Sequence, residues 1–200
     1  MIKYYALIPL LCAHLALGAA QPQSIEPAQV VVDTKENDMH ARAYFAAGCF
    51  WGVEAIFQEV EGVVETTVGY MNGRTPNPSY RDVCYTDTGH AEAVEVVYDP
   101  SQVDYTSLCR YFWRLHDPTT MNRQGPDVGS QYRSGIFYKT EAERVIAEAV
   151  KLEAQGHWKG TIVTEIALAD RFYDAEIYHQ DYFKNRGITH SGCHFLRPWE

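Results

Sequence analysis

The sequence predicts an α+β fold, a two-layer sandwich in which helices pack on a mixed sheet. Three observations carry this expectation. Segments that alternate apolar and polar residues interleave with segments whose apolar residues recur every three or four positions. The 200 residues are enough for one domain with a substantial core. Hydrophobic content of 46% and charged content of 22% fit a globular chain, with no internal repeat or low-complexity tract.

The elements follow in order. Ala43 to Ala47 reads as a short apolar strand. Val53, Ile56, Phe57 and Val60 then mark one face of a helix, which Gly62 stops. Val64, Thr66, Val68 and Tyr70 alternate as a second strand, and Asn72-Gly73 with Pro76-Asn77-Pro78-Ser79 make a turn and a loop. Ala91 to Tyr98 is a strong strand ended by Asp99-Pro100, and Tyr105 to His116 is helical. Ser134 to Tyr138 is strand-like. Thr140 and Glu143 form a capping box for a helix reaching Gln155, with Val145, Ile146, Ala149 and Leu152 expected to face inward. Ile162 to Ile166 gives a further strand and Ala175 to Lys184 a last helix, before an irregular segment containing Gly187, Gly192 and Pro198.

The first twenty residues read as a leader outside the fold. Lys3 gives a positive start, Ala6 to Leu17 is an apolar stretch too short to span a bilayer comfortably, and Gly18-Ala19-Ala20 suits cleavage before Gln21. Cys12 follows Pro9-Leu10-Leu11 with no small residue before it, which argues against lipid attachment. The organisation expected is therefore a signal peptide over 1–20, a flexible arm over 21–41 and a catalytic domain over 42–200. Val30-Val31-Val32 in the arm could add an edge strand. An exported, periplasmic or secreted protein with no stable membrane association after cleavage follows. The balance of 17 basic against 26 acidic residues argues against a nucleic-acid partner, because a phosphate-binding surface needs basic excess.

Past the leader the chain holds Cys49, Cys84, Cys109 and Cys193. An even number in an exported protein fits two structural disulfides, although a domain of this size needs no staples and the spacings form no tight framework. Cys49 stands apart. In Ala46-Ala47-Gly48-Cys49-Phe50-Trp51-Gly52 it lies where a strand gives way to a helix, so free N–H groups should favour its thiolate. The competing reading is an inert buried cysteine, with Phe50 and Trp51 as core aromatics rather than pocket walls. On Ala91 to Tyr98, Glu92 shares a face with Val94 and Val96, whereas Glu95 lies on the other. If that face is buried, Glu92 is an inward carboxyl held protonated; if the opposite face is buried, Glu92 is solvated.

The polar loop from Met121 to Ser134 has the composition of a site-shaping segment, and Tyr80 and Tyr132 lie in or beside such loops. Cys193, in Ser191-Gly192-Cys193-His194, is a thiol on a glycine-bearing tail able to reach a second sulfur; Cys84 and Cys109 look structural. The eight histidines show no metal spacing.

These motifs carry a resemblance. Gly48-Cys49-Phe50-Trp51-Gly52, Gly89-His90-Ala91-Glu92-Ala93-Val94, His116-Asp117-Pro118-Thr119-Thr120 through Asn122-Arg123-Gln124-Gly125, and Asp127-Val128-Gly129-Ser130-Gln131-Tyr132-Arg133-Ser134 resemble, in order and spacing, peptide methionine sulfoxide reductase of the A type over residues 42–197. The resemblance implies that Cys49 attacks the sulfoxide sulfur and Glu92 protonates its oxygen. Tyr80 and Tyr132 would donate hydrogen bonds to that oxygen, and Phe50 and Trp51 would hold the substrate methyl group. Asp127 would order the loop and a bound water. The substrate would be the S epimer of methionine sulfoxide, free or in oxidised peptides and proteins, with no metal or organic cofactor. Cys193 would resolve the Cys49 sulfenic acid, with Cys84 as the fallback, and a thioredoxin-like donor would reduce the disulfide. The expected form is a monomer with a ferredoxin-like elaboration of the sandwich. Two other readings are a cysteine hydrolase, for which no sequence feature designates a histidine base, and a noncatalytic domain with two disulfides.

Overall fold

The computed structural model describes residues 39–189 and 194–199. In chain order the elements are β1 (Ala41–Ala47), α1 (Phe50–Gln58), β2 (Val63–Met71), α2 (Tyr80–Tyr85), β3 (Ala91–Tyr98), α3 (Tyr105–Leu115), β4 (Arg123–Gln124), β5 (Asp127–Val128), β6 (Ser134–Tyr138), α4 (Glu141–Gln155), β7 (Glu165–Leu168), β8 (Tyr173–Asp174) and α5 (Tyr182–Arg186). The leader, nearly all of the arm, the Val30–Val32 strand and Cys193 lie outside the described residues.

The main sheet runs in the order β7-β6-β1-β3-β2-β8. Its pairs are antiparallel except β6 with β7, so the sheet is mixed as expected. The inner four strands, with α1 between β1 and β2 and α3 between β3 and β6, make the β-α-β-β-α-β pattern of a ferredoxin-like unit. The segment α4–β7 and the short β8 extend it on either edge.

Helix starts follow their side chains. Asp104 accepts from the Ser107 N–H ahead of α3, and Ser79 and Thr140 form full capping boxes with Asp82 and Glu143. The core lies between the sheet and α1, α3 and α4. At its centre Phe45 is sealed from solvent and stacked on Phe57 (4.9 Å between centroids) and Phe112 (5.4 Å). A smaller apolar cluster covers the other face, where Tyr44, Ala46, Ala91, Ala93 and Phe137 meet Ala167, Ala169 and Phe172. The central strand β3 is therefore buried on both sides.

Three expectations are corrected. Helix α4 is rotated from the expected face: Ile146 packs on the core as expected and Ala147, Val150 and Ala154 are buried, whereas Val145, Ala149 and Leu152 are exposed. The helix packs against α3, β6 and β7, and those contacts rather than its own apolar pattern set the rotation. The strand expected over Ile162 to Ile166 begins three residues later and ends two later, as β7, and Ile162 instead donates its N–H to Gln155 Oε1 (2.9 Å). The helix expected over Ala175 to Lys184 is replaced by a 3-10 turn at Ile177–His179 and the short α5. Here tertiary hydrogen bonds override propensity. The Gln180 side chain accepts from Val68 N and donates to Val68 O and Ala175 O, each at 2.9 Å, pairing like backbone with the edge of β2. Asp181 then adopts φ +51°, which breaks the helix.

The rotation of α4 is measurable. Val150→Ala should lower unfolding stability by about 2 kcal/mol, and Leu152→Ala should change it by less than about 0.5 kcal/mol, both read by urea denaturation.

Candidate active site

The strand β1 ends at Ala47, and the chain turns at Gly48, where φ is +98°. A Cβ there would fall 2.5 Å from Gln124 Cβ and 3.3 Å from His194 Nε2, so both the backbone angle and the space require glycine. Cys49 is the last residue before α1, as the sequence implied. The Gly52 N–H donates to the Cys49 carbonyl at 3.3 Å, and the N–H groups of Trp51 and Gly52 lie near enough to the sulfur to favour its thiolate. The neighbouring Phe50 N–H donates instead to Glu92 Oε2 at 3.1 Å. This bond ties the start of the helix to the middle of the sheet.

Glu92 is 2% exposed, on the β3 face that carries Val94 and Val96 into the main core. The inward reading holds, and Glu95 on the opposite side accepts from the Tyr44 hydroxyl at 2.7 Å. Burial pushes the Glu92 carboxyl up to about 8; the Phe50 N–H pulls it down, and the charge of Asp127 pushes it up. The Cys49 thiol departs from expectation. Burial first, and then the Glu92 charge, push it up to about 12 against the downward pull of the Trp51 and Gly52 N–H groups. The helix-start donors are present, but desolvation outweighs them.

Tyr80 opens α2, its N–H held by Glu176 Oε1 at 2.9 Å and its hydroxyl hydrogen-bonded to Cys84. Tyr132 closes the 3-10 turn Ser130–Tyr132. Burial holds both phenols well above the ordinary tyrosine range, and both feel the charge of Glu92. Asp127 sits in the β4–β5 hairpin opposite Gln124, and burial raises its carboxyl. Its charge acts on Cys49, Glu92 and Tyr132 alike. Cys49, Glu92, Tyr80, Tyr132 and Asp127, taken from five separate segments, are thus brought within mutual electrostatic reach. Cys84 joins them through Tyr80. The role expected of Cys193 falls outside the described residues, but the next residue, His194, is buried and donates from Nε2 to the Ala47 carbonyl at 2.7 Å.

Phe50 is fully buried and Trp51 half-buried. Their surroundings include residues that sequence reasoning missed. Trp51 Nε1 donates to His179 Nδ1 at 3.0 Å, and the His179 ring lies 4.4 Å from Tyr80 and 5.2 Å from Phe50. Burial lowers the His179 pKa, which keeps the ring neutral and its Nδ1 an acceptor. Tyr182 stacks flat on the Trp51 indole at 3.6 Å and 5°. The signal was the cluster Tyr178-His179-Gln180-Asp181-Tyr182, aromatic and polar together, which was read as part of a helix.

Cys49, Cys84 and Cys109 are all free thiols. Two disulfides among four cysteines would require at least one bond within these three, so the two-disulfide reading fails. Among the described residues no group of three or more His, Cys, Asp or Glu could hold a metal ion.

Known proteins share this arrangement. The family model described as peptide methionine sulfoxide reductase matches residues 41–196. The chain is similar to the peptide methionine sulfoxide reductase MsrA of Methanosarcina acetivorans, 56% identical over 149 residues that cover 74% of this chain and 79% of that protein. It is also similar to the crystal structure of Mxr1 from Saccharomyces cerevisiae in reduced form, with a TM-score of 0.76 and 38% identity over 82% of this chain and 95% of that one. Mxr1 in complex with Trx2 aligns with a TM-score of 0.56 and 28% identity, covering 82% and 94%. A family match across the whole described domain, with a relative identical at more than half of the aligned positions, places the chain in the peptide methionine sulfoxide reductase family.

Proposed function

We propose that this chain reduces the S epimer of methionine sulfoxide, free or in oxidised peptides and proteins, with Cys49 as nucleophile and Glu92 as proton donor. The observation that carries these roles is the Phe50 N–H bond to Glu92, which sets a buried carboxyl beside the turn bearing the thiol. A sulfoxide oxygen leaves poorly until it is protonated, so an acid and a nucleophile must converge on one S–O bond. With a carboxyl pushed up to about 8, Glu92 holds its proton at neutral pH.

The Cys49 thiol is silent in the resting site. A bound sulfoxide changes this, because its positive sulfur faces the thiol and favours the thiolate. Glu92 gives its proton to the oxygen, with Tyr80 and Tyr132 donating hydrogen bonds to it, which requires Tyr80 to exchange its Cys84 partner for the substrate. The Cys49 thiol proton replaces the one Glu92 gives up, and the Cys49 sulfur bonds to the substrate sulfur. The hydroxyl then passes to the Cys49 sulfur as the S–O and transient S–S bonds to the substrate sulfur break, releasing methionine and leaving a sulfenic acid on Cys49. Cys193 then condenses with the sulfenic acid, forming a disulfide and water, and a dithiol donor reduces the disulfide. The complex of yeast Mxr1 with Trx2 supports a thioredoxin-like donor. Phe50 and Trp51 form the apolar wall for the substrate methyl group, and Asp127 orders the β4–β5 hairpin and a water beside the acid.

We further propose that the protein acts as a monomer and that residues 1–20 export it. In an oxidising compartment its donor needs a dedicated supply of electrons.

Cys49→Ser should abolish release of methionine from a methionine sulfoxide dipeptide; unchanged turnover would overturn the mechanism. Cys193→Ser should keep turnover with dithiothreitol and lose it with thioredoxin, and retained thioredoxin turnover would move the resolving role to Cys84. The Glu92 pKa sets a stability profile. Because the folded value is raised above the ordinary carboxyl value of 4.5, the folded state binds the extra proton between 4.5 and about 8, and stability falls as pH rises through that window. Glu92→Gln should therefore be more stable than wild type at pH 9, equal to it at pH 4, and at least ~100-fold slower in turnover. N-terminal sequencing of protein from the exporting cell should begin at Gln21.

A further inference from the structure

Glu54 is 1% exposed, and no step of the proposed reaction uses it. It lies one turn beyond Trp51 on α1, and its carboxyl is a meeting point for groups from two other elements. The Thr66 hydroxyl of β2 donates to Oε1 at 3.4 Å, and the peptide N–H groups of Asp181 and Tyr182 lie near enough to the same carboxyl to favour its charged form. Gln58, the next turn of α1, braces this junction by donating to Thr66 Oγ1 (2.9 Å) and Asp181 Oδ1 (2.7 Å). Asp181 is held in the left-handed region at φ +51°, its carbonyl accepts from the Asn185 N–H at 2.8 Å, and Lys184 Nζ lies 3.5 Å from its carboxylate.

What this junction delivers is Tyr182. The residue whose N–H reaches Glu54 carries the ring that lies 3.6 Å from the Trp51 indole, and Arg186 covers the same ring at 3.7 Å. Trp51 is held on its edge by His179. The indole is thus fixed by a hydrogen bond and a stacking partner, and the partner is fixed by Glu54. We propose that Glu54 is a positioning residue for sulfoxide reduction, tying the start of α5 to α1 so that Tyr182 holds Trp51 in place as the pocket wall.

The arrangement is costly, which argues that it serves more than packing. Burial pushes the Glu54 carboxyl up to about 7; the Asp181 N–H is the main opposing pull, the Asp181 carboxylate repels it, and Thr66 and the Tyr182 N–H draw it down. An apolar side chain at this position would bury without that penalty but would leave two amides unpaired.

The inference rests on Trp51 lining the substrate pocket, and the test separates the two. Steady-state reduction of a methionine sulfoxide peptide with dithiothreitol is measured for Trp51→Ala, Glu54→Ala, Glu54→Gln, Tyr182→Ala and the Glu54→Ala/Tyr182→Ala pair. Losing hydrogen bonds to a carboxylate that orients a binding wall should raise KM about tenfold in Glu54→Ala, with kcat changed less than about twofold because wall contacts serve ground and transition states alike. Glu54→Gln, which keeps one accepting oxygen, should fall between and carries the comparison if Glu54→Ala does not fold. In the double variant Glu54→Ala should add nothing to the KM of Tyr182→Ala, since the two act in series. An unchanged KM in both Glu54 variants, or KM effects that multiply in the pair, would overturn the proposal while leaving the pocket intact. An unchanged KM in Trp51→Ala would overturn the pocket reading and this inference with it.

Discussion

Burial of the Glu92 carboxyl near the start of an inner strand covered on both faces is the constraint around which the rest of the molecule is arranged. A carboxyl so placed must find a donor, and it takes the Phe50 N–H at the start of α1. Satisfying it fixes the helix over the sheet, fixes the turn before the helix, and so fixes the sulfur of Cys49. The bond that completes the core also assembles the reacting pair. Its companions arrive on loops: the Ser79-capped α2 delivers Tyr80, and the β4–β5 hairpin with its following turn delivers Asp127 and Tyr132.

The electrostatics of the site share one sign. Burial raises the acid, the thiol and both phenols, so each keeps its proton in the resting protein. A neutral site suits a neutral, strongly dipolar substrate: the S–O group is what supplies charge separation, and the protein's donors surround the end that becomes negative. Neutrality also protects the thiol, since the thiolate is the form that oxidants attack.

The parts of this design that were legible in the sequence are those with local causes. Alternation marked β2 and β3, the Thr140–Glu143 box marked the start of α4, and strand parity placed Glu92 with Val94 and Val96. The flanking glycines and the aromatics singled out Cys49, the four ordered motifs supplied Tyr132 and Asp127, and Tyr80 came from its loop and from the resemblance those motifs carry. What escaped had distant causes. The depth at which Cys49 lies, which reverses the effect of its helix-start amides, depends on the whole fold. The face of α4 depends on the elements packed against it, and the dissolution of the expected last helix depends on Gln180 finding the edge of β2. His179, Tyr182 and Glu54 were hidden for the same reason: they matter through Trp51, and nothing in their spacing says so.

The turn at Gly48 has a consequence for anyone who would reuse this chemistry. Its shape is enforced from outside, by Gln124 of β4 on one side and His194 near the end of the chain on the other, with Ala47 hydrogen-bonded to His194 across 147 positions of sequence. The five residues from Gly48 to Gly52 are the most recognisable stretch of the chain, yet they are not a portable cassette. Grafted onto another scaffold, the pentapeptide would lose the two surfaces that hold its glycine in the left-handed region and the strand that supplies its acid. The smallest transplantable unit of this reactivity is close to the whole domain.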